Sequence, residues 1–247
     1  MSKIAVILPA AGKSTRFGGI EKKPFVSIDG RPVWQRAAEL FWTRSDVSKV
    51  YLVIDPDDRD EFRGRFGHLL AFTNAEVVDG GSERFESVAN ALAKIPDTVS
   101  FVAIHDTVRP LTPSPLIDAV FAAAHTHGAA MLAVPVADTL KQVDAATQRI
   151  LGTVPRDGVW QAQTPQVFRR DWLMDAYAKR GAIGTAITDD AQLLEANGHG
   201  VFVVRGSPLN FKITTKDDLE LANAVLKSRD TKPVERSTLR FDDEAKW

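Results

Sequence analysis

Near its start the chain contains the segment Ile4-Ala5-Val6-Ile7-Leu8-Pro9-Ala10-Ala11-Gly12-Lys13-Ser14-Thr15-Arg16-Phe17-Gly18-Gly19. In this segment a short apolar strand pattern is followed by a loop of small and basic residues. Small residues let a ligand approach the backbone closely, and backbone N–H groups in such loops can hold phosphate oxygens. Four cations lie in or near the loop: Lys13, Arg16, Lys22 and Lys23. We interpret it as a triphosphate-binding loop, with an ordinary basic turn between strand and helix as the alternative.

The Gly12-Lys13-Ser14 tripeptide resembles the end of a P-loop, but its spacing excludes that motif. A Walker motif needs a glycine five positions before Gly12, and Ile7 stands there inside the predicted strand. The dinucleotide-binding pattern Gly-x-Gly-x-x-Gly is also absent from this loop.

The composition limits the class of protein. With 247 residues, 44% of them hydrophobic, the chain can bury the core of one α/β domain. A net charge of −1 gives no electrostatic support for nucleic-acid binding. The absence of cysteine excludes disulfides, thiolate metal sites and cysteine nucleophiles. Met1 to Lys3 lead directly into strand and no apolar run approaches membrane-spanning length, so we expect a cytoplasmic protein with no membrane partner.

Strand and helix patterns alternate along the chain. The predicted strands are Ile4–Leu8, Val50–Ile54, Ala75–Val78, Phe101–Ile104, Ala130–Val134 and Val201–Val204. The predicted helices are Val33–Trp42, Asp58–Leu69, Ser87–Ala93, Pro115–His127, Trp172–Lys179, Ala191–Ala196 and Lys216–Leu226. This order predicts an α/β fold with a mostly parallel sheet and helices on both faces.

Two segments break the alternation. Residues 137–168 contain short alternating stretches separated by turn residues, which predicts a β-hairpin arm that projects from the domain and packs on a partner chain. The alternative is a local excursion that folds back on its own domain. Residues 228–247 are charged and include a proline, so we expect a flexible tail after a single domain of residues 1–227.

Three further motifs carry candidate chemistry. Asp79 to Val88 follow a strand and open a helix, and could hold a base and ribose through backbone groups and Ser87; a capped helix after a tight turn is the alternative. Asp106 ends a strongly apolar strand, at the position where ligands of α/β proteins bind. Mg²⁺ binds few protein carboxylates and several substrate phosphate oxygens, so Asp106 fits the role of a metal ligand. An Asp106–Arg109 pair that closes a loop is the plainer interpretation. We expect His105 to be packed rather than catalytic, and Lys212, before the helix-capping Thr214 and Thr215, to reach a phosphate.

Seven motifs in order resemble those of the 2-C-methyl-D-erythritol 4-phosphate cytidylyltransferases, from about Ile4 to Leu226. They are Pro9-Ala10-Ala11-Gly12 with Arg16 and Lys23; Gly80-Gly81-x-x-Arg84-x-x-Ser87-Val88; His105-Asp106-x-x-Arg109-Pro110; Asp138-Thr139-x-Lys141; Thr164-Pro165-Gln166; Thr188-Asp189; and Lys212-Ile213-Thr214. In one departure, Thr107 and Val108 stand where the family usually has two small residues. In another, Leu209 stands where it often has an acidic residue, so we carry over no second metal carboxylate.

The resemblance implies a Rossmann-like nucleotidyltransferase fold with a dimerising β-arm. Its implied reaction is transfer of CMP from CTP to the phosphate of methylerythritol phosphate, with release of pyrophosphate. Arg16, Lys23 and Lys212 would stabilise charge at the α-phosphate, and Asp106 would hold Mg²⁺. The implied CTP pocket is formed by Ala10, Ala11, Gly12, Gly80, Ser82 and Ser87. The implied acceptor site is formed by Arg109 and Thr188 with Thr139, Arg156 and Thr164 of the partner's arm in a homodimer.

Two other functions stay open at this point. One is a ribitol-5-phosphate cytidylyltransferase, a sister activity on a similar scaffold, because acceptor choice depends on a few hydroxyl contacts. The other is a catalytically silent nucleotide-binding regulator, against which the presence of Arg16, Lys23, Asp106 and Lys212 argues. The residues themselves supply cations and a metal carboxylate but no evident nucleophile, which suits phosphoryl-type transfer.

Overall fold

The computed structural model of the protein describes residues 3–11, 23–182 and 187–230. The strands are β1 (Ile4–Pro9), β2 (Ser27–Ile28), β3 (Arg31–Pro32), β4 (Val47–Ile54), β5 (Ala75–Asp79), β6 (Phe101–Ile104), β7 (Ala129–Pro135), β8 (Leu140–Val143), β9 (Ile150–Val154), β10 (Trp160–Arg169) and β11 (Phe202–Arg205). The α-helices are α1 (Val33–Trp42), α2 (Arg59–Leu70), α3 (Arg84–Leu92), α4 (Ser114–His127), α5 (Arg170–Ala178), α6 (Asp190–Ala196) and α7 (Lys216–Asp230).

A seven-stranded sheet in the order β11-β7-β10-β6-β1-β4-β5 forms the centre of the fold. Strands β5, β4, β1 and β6 are mutually parallel, as are β7 and β11, while β10 runs antiparallel to both of its neighbours. Residues 4–8, 50–54 and 101–104 are buried throughout, because helices cover both faces of the sheet and leave no strand face to solvent. The predicted mostly parallel α/β sheet is confirmed.

Two apolar clusters hold the helices against the two faces. Helices α1, α2 and α4 pack on one face through residues such as Trp34, Phe62 and Phe121. Helices α3, α5 and α6 pack on the other face through residues such as Leu92 and Leu194. Helix α7 packs apart from both clusters, on the region of β2 and the start of α1.

The predicted arm of residues 137–168 is too long. Within this segment, only β8 and β9 form a separate two-stranded sheet. From Trp160 the chain re-enters the central sheet as β10, between β6 and β7. Gln163, Thr164 and Gln166 are polar but buried, because tertiary hydrogen bonds satisfy their side chains. Pro165 follows a cis peptide bond and lies at a register shift in the strand, where the missing N–H does not break a ladder hydrogen bond.

The ends of the described chain also differ from expectation. Helix α7 continues to Asp230, so residues 228–230 are helical rather than the start of a flexible tail. Residues 231–247 lie outside the described residues. Within the described ranges, every helix is too short or too polar to cross a lipid bilayer.

Candidate active site

The carboxyl ends of four parallel strands meet at one edge of the sheet. Ala10 and Ala11 follow β1, Gly80 follows β5, and Asp106 follows β6. Ligands of open α/β sheets bind at this edge. The structure therefore brings three of the sequence-predicted motifs to one place.

The turn at residues 80–82 packs directly against the end of β1. The Gly80 N–H donates to the Ile54 carbonyl at 2.7 Å, and a Cβ on Gly80 would lie 2.5 Å from the Ala11 Cβ. Any larger residue at position 80 would therefore push the two loops apart. The N–H groups of Ala10 and Ala11 both donate to the Val53 carbonyl, at 2.7 and 2.8 Å, so these residues supply a tightly held surface rather than free phosphate donors.

Ser87 holds this turn through hydrogen bonds of its side chain. Its buried hydroxyl accepts the Gly81 N–H and donates to the Glu83 carbonyl, both at 3.1 Å. Ser82 instead donates to the Glu86 carboxylate at 2.6 Å, and this hydrogen bond lowers the Glu86 pKa. Glu86 also accepts the Glu83 N–H at 3.2 Å, which caps α3 and starts it at Arg84, three residues before the predicted Ser87.

Asp106 lies among cations. Its Oδ2 is 3.1 Å from Nζ of Lys212 and 3.5 Å from Nε of Arg109, and its side chain is 14% exposed. Burial alone would raise the Asp106 pKa, but the positive charges of Lys212, Arg84 and Arg109 lower it below its ordinary value. Asp106 is therefore ionised at neutral pH, and Lys212, predicted to be available for a phosphate, is paired with it.

Arg109 connects this carboxylate to the loop that carries Lys212. Its Nη1 donates to the Asn210 carbonyl at 2.7 Å and its Nη2 to the Ala162 carbonyl at 3.4 Å. Asn210 is fully buried; its amide donates to the Thr164 carbonyl at 2.9 Å and accepts from Thr112 at 2.7 Å. No role was predicted for Asn210 from the sequence, although its place two residues before Lys212 was the available signal.

Thr164 is the centre of a hydrogen-bonded chain beneath Asp106. The Asp106 N–H donates to the Thr164 hydroxyl oxygen at 2.9 Å, and that oxygen is 3.1 Å from His105 Nδ1. Burial lowers the His105 pKa to about 4, so the ring is neutral. Its Nε2 is 3.0 Å from the Arg109 carbonyl, which can only accept. Nε2 therefore carries the proton, and the Thr164 hydroxyl donates to Nδ1.

This arrangement contradicts the expectation that Thr164 acts from the arm of the partner chain. Thr164 is 6% exposed, lies in the central strand β10, and positions Asp106 of its own chain. The expectation that His105 is packed rather than catalytic agrees with this geometry. Thr107, the departure from the family pattern, is also buried, and its hydroxyl donates to the Pro9 carbonyl at 2.6 Å. It ties the Asp106 loop to the end of β1.

A cleft of about 680 Å³ opens beside the Asp106 cluster. Within the part of the chain that the structure describes, three cations line it, Arg109, Arg205 and Lys212, together with one carboxylate, Asp138. Clefts of 300 to 1,000 Å³ are the usual size for small-molecule sites, and the excess of positive charge suits an anionic ligand. Arg205, at the end of β11, was not predicted from the sequence, because no local sequence feature distinguishes it from other exposed arginines.

The remaining predicted site residues lie around this cleft or outside the described chain. Thr188 is exposed just before α6 and lines a second cavity of about 400 Å³ that shares Ala162 with the first cleft. Thr139 and Arg156 are exposed at the base of the arm, where Arg156 donates to the Ala137 carbonyl. Gly12 and Arg16 lie outside the described residues, as does the side chain of Lys23, whose backbone begins a short 3₁₀ turn.

The donor set suits magnesium only if a substrate completes the coordination. Among the described residues, no group of three or more His, Cys, Asp or Glu side chains is placed to hold a metal. Asp106 offers one ionised carboxylate at the strand ends. Mg²⁺ is commonly held by one or two carboxylates, with waters and substrate phosphate oxygens as its other ligands, so Asp106 fits a metal that arrives with a polyphosphate.

Comparisons with known proteins agree on one family. A family model described as 2-C-methyl-D-erythritol 4-phosphate cytidylyltransferase matches residues 4–228. A protein of that name from Rhodopirellula baltica is 40% identical over 91% of this chain and 95% of its own length. Another from Pelotomaculum thermopropionicum is 39% identical over 93% of this chain and 96% of its own length. The crystal structure of the Francisella tularensis enzyme is 31% identical, with a TM-score of 0.77, over 90% of this chain and 99% of that one.

Proposed function

Because the chain belongs to the 2-C-methyl-D-erythritol 4-phosphate cytidylyltransferase family, we propose that the cluster of Asp106, Arg109 and Lys212 is where it performs that family's reaction. The enzyme transfers CMP from CTP to 2-C-methyl-D-erythritol 4-phosphate, a step of isoprenoid precursor biosynthesis, and releases pyrophosphate. The observation that carries the assignment to these residues is the ionised, cation-surrounded carboxylate at the strand ends beside the turn at residues 80–82.

The cytidine of CTP is proposed to occupy the turn at residues 80–82. Ala10, Ala11, Gly12, Gly80, Ser82 and Ser87 would form its pocket. The contact between Gly80 and Ala11 supports a flat surface against which a base can lie, and the exposed Ser82 supports a polar contact. A site that hydrogen-bonds polar groups of a base discriminates strongly against bases that lack them. We expect kcat/KM for CTP to exceed that for ATP by orders of magnitude, and comparable values would contradict this pocket.

The chain's cations would govern the chemical step. An oxygen of the acceptor phosphate attacks the α-phosphorus of CTP, and the bond from that phosphorus to the bridging oxygen of the β-phosphate breaks, so pyrophosphate leaves. Arg16, Lys23 and Lys212 are proposed to meet the charge that grows on the α-phosphate. The role of Lys212 is supported by its position in the lining of the cationic cleft, 3.1 Å from Asp106. Charge stabilisation and alignment account for such transfers without a covalent enzyme intermediate.

Mg²⁺ is the proposed cofactor, with Asp106 as its ligand from this chain. Bound there with CTP, the cation would neutralise the triphosphate and the departing pyrophosphate. The lowered Asp106 pKa supports this role, because the carboxylate is already ionised. We expect excess chelator to abolish activity and Asp106→Asn to raise the Mg²⁺ concentration that activity needs. Full activity in chelator, or an unchanged metal requirement in the variant, would refute the role.

A homodimer is proposed to complete the acceptor site. The arm exposes Val143, Ile150, Leu151 and Val154, of which Ile150 and Leu151 are about 60% exposed. Within one chain the arm buries little, and such apolar surface favours association. The cavity beside Thr188 is lined by Met131, Trp160 and Val203, a surface that an apolar arm could cover. Docked there, the arm would bring Thr139 and Arg156 to an acceptor held by Arg109 and Thr188 of the other chain.

The acceptor assay tests the proposed function directly. Purified protein, CTP and Mg²⁺ are incubated with 2-C-methyl-D-erythritol 4-phosphate or with ribitol 5-phosphate, and pyrophosphate release is measured. We expect release with the first acceptor and little with the second. Preference for ribitol 5-phosphate, or CTP binding without turnover on either acceptor, would contradict the proposal. Because CTP is an intracellular nucleotide, we also propose a cytoplasmic location.

A further inference from the structure

A second charged network lies beside Asp106, and the roles assigned above do not use it. Arg84, the first residue of α3, donates through Nη2 to Oδ2 of Asp190 at 2.7 Å. Tyr177 of α5 donates its hydroxyl to the other carboxylate oxygen of Asp190 at 2.6 Å. The Asp190 side chain is 2% exposed, whereas that of Arg84 is 38% exposed. The network therefore has one buried member, Asp190, and one partly exposed member, Arg84, which lies on the side of the active-site edge.

The charges of this network extend to the reaction centre. Burial alone would lower the Arg84 pKa, but the charge and hydrogen bond of Asp190 raise it above its ordinary value, and Asp106 adds to that rise. In return, Arg84 contributes to the lowered pKa of Asp106. Arg84 is thus permanently charged, and its field reaches the carboxylate proposed to hold Mg²⁺.

The same network anchors the start of α6, which follows Thr188. Asp189 caps the helix by accepting the Gln192 N–H at 3.0 Å. Its other oxygen accepts from the Gln166 amide of β10 at 2.9 Å, and the Gln166 oxygen accepts the Ala191 N–H at 3.1 Å. The first turn of α6 is therefore tied to β10 on one side and, through Asp190, to α3 on the other.

We propose that Arg84 is a positioning residue that acts through Asp190 to hold Thr188 at a fixed distance from the turn at residues 80–82. The inference rests on the proposed acceptor role of Thr188 and the proposed nucleotide role of that turn. Arg84 lies two residues after the turn, and Thr188 lies two residues before Asp190. The ion pair is thereby the tie between the nucleotide side and the acceptor side of the site.

An alignment role explains why a charged pair is used at this position. A buried ion pair is weak evidence for stability, because apolar residues of similar volume often stabilise as well. It does impose a directional geometry, and a misplacement of about 1 Å can cost roughly 10²-fold in rate when two reactants must be aligned. The turn itself is held by Ile54, Ser87 and Glu86, so loss of the pair should displace the acceptor side more than the nucleotide side.

The test measures both substrates in variants of the pair. Asp190→Asn keeps the size and an acceptor oxygen but removes the charge, and Arg84→Gln removes the cation. For each variant we expect KM for the acceptor to rise about tenfold or more, equivalent to about 1.4 kcal/mol, with KM for CTP within about twofold of the parent. Asp46→Asn is the matched control, because it breaks the 2.7 Å pair with Arg44 at the opposite edge of the sheet. It should lower Tm and leave both KM values unchanged.

The double variant separates positioning from folding. Each single substitution leaves one charge without its partner, whereas Arg84→Gln with Asp190→Asn removes both charges and should recover part of the lost Tm. The acceptor KM should stay raised in the double variant, because the tie to the turn is still weakened. A KM that returned to the parent value together with Tm would show a merely structural role and overturn the proposal.

Three further outcomes distinguish the inference from the proposed function. If Thr188→Ala raises the acceptor KM while both pair variants stay within about twofold of the parent, the positioning inference fails and the proposed function stands. Equal increases in KM for CTP and for the acceptor would also refute the inference, because they indicate general loosening of the site. If the parent enzyme does not consume the acceptor with CTP, the proposed function and the inference fail together.

Discussion

Replacing Thr164 by valine removes one hydroxyl from beneath Asp106 with little change in shape. In the parent, that hydroxyl accepts the Asp106 N–H at 2.9 Å and donates to His105 Nδ1 at 3.1 Å. Both partners are enclosed: His105 is fully buried, and the Asp106 side chain is only 14% exposed. Thr164→Val therefore leaves one buried donor and one buried acceptor without partners.

The expected cost follows from these two groups. Each buried polar group left unpaired costs roughly 1–3 kcal/mol, so we expect Thr164→Val to lower the free energy of unfolding by about 2–4 kcal/mol after the gain from burying a methyl group. For a chain of this size, each kcal/mol lowers Tm by about 2–4 °C. Thr164→Ser restores the hydroxyl and should recover most of the loss. Thr126→Val is the control, because that hydroxyl donates to the Ala122 carbonyl on an exposed helix face.

The activity of the variant tests whether Thr164 acts within its own chain. If it positions Asp106, kcat should fall by about tenfold or more, since small displacements at a reacting centre are costly, and Thr164→Ser should restore it. Dimers that combine a Thr164→Val chain with an Asp106→Asn chain should show no recovered activity, because each site keeps one lesion. Recovery in such mixed dimers, or a Val variant with the parent's Tm and kcat, would refute the reasoning.

Three other predictions follow from the site. Arg16→Ala or Lys23→Ala should lower kcat by about 10²-fold, the usual loss for one preorganised charge-stabilising group; near-normal kcat with only a raised KM would contradict a transition-state role. The His105 pKa is lowered to about 4 from 6.5, so below about pH 6.5 the unfolded chain binds a proton that the folded protein does not. This group should therefore reduce the free energy of unfolding by up to about 3 kcal/mol between pH 7 and pH 4. Denaturant unfolding across that range should show a shallower pH dependence for His105→Gln, and parallel curves would be inconsistent with a buried neutral ring. Finally, mixing Arg16→Ala and Arg156→Ala chains in equal amounts should restore roughly a quarter of all sites, since about half of the dimers are mixed and each holds one intact site; free subunit exchange without any recovery would show that the arm does not act in trans.

The sequence by itself determined the class of the fold and the order of the site motifs. Local sequence features predict local backbone conformation, because the spacing of hydrophobic residues indicates helix or strand and glycine indicates a turn. Such features include strand Ile4–Leu8, the small residues after it, the Gly80–Gly81 turn and the strand before Asp106. Because the carboxyl ends of parallel strands meet at one edge, these local signals also predicted the edge of the sheet at which the candidate site lies. Helix α1 was predicted with its observed bounds, since its buried residues recur with helical spacing.

Only the tertiary structure decided where β10 lies and what surrounds Asp106. Gln163, Thr164 and Gln166 have the polarity of an exposed arm, and they are buried because their hydrogen-bond partners come from distant segments. The Lys212 contact with Asp106 and the Arg84 contact with Asp190 each join residues 106 positions apart. Burying polar and charged groups costs free energy unless such partners are present, and no local pattern in a chain reveals which distant groups will meet them.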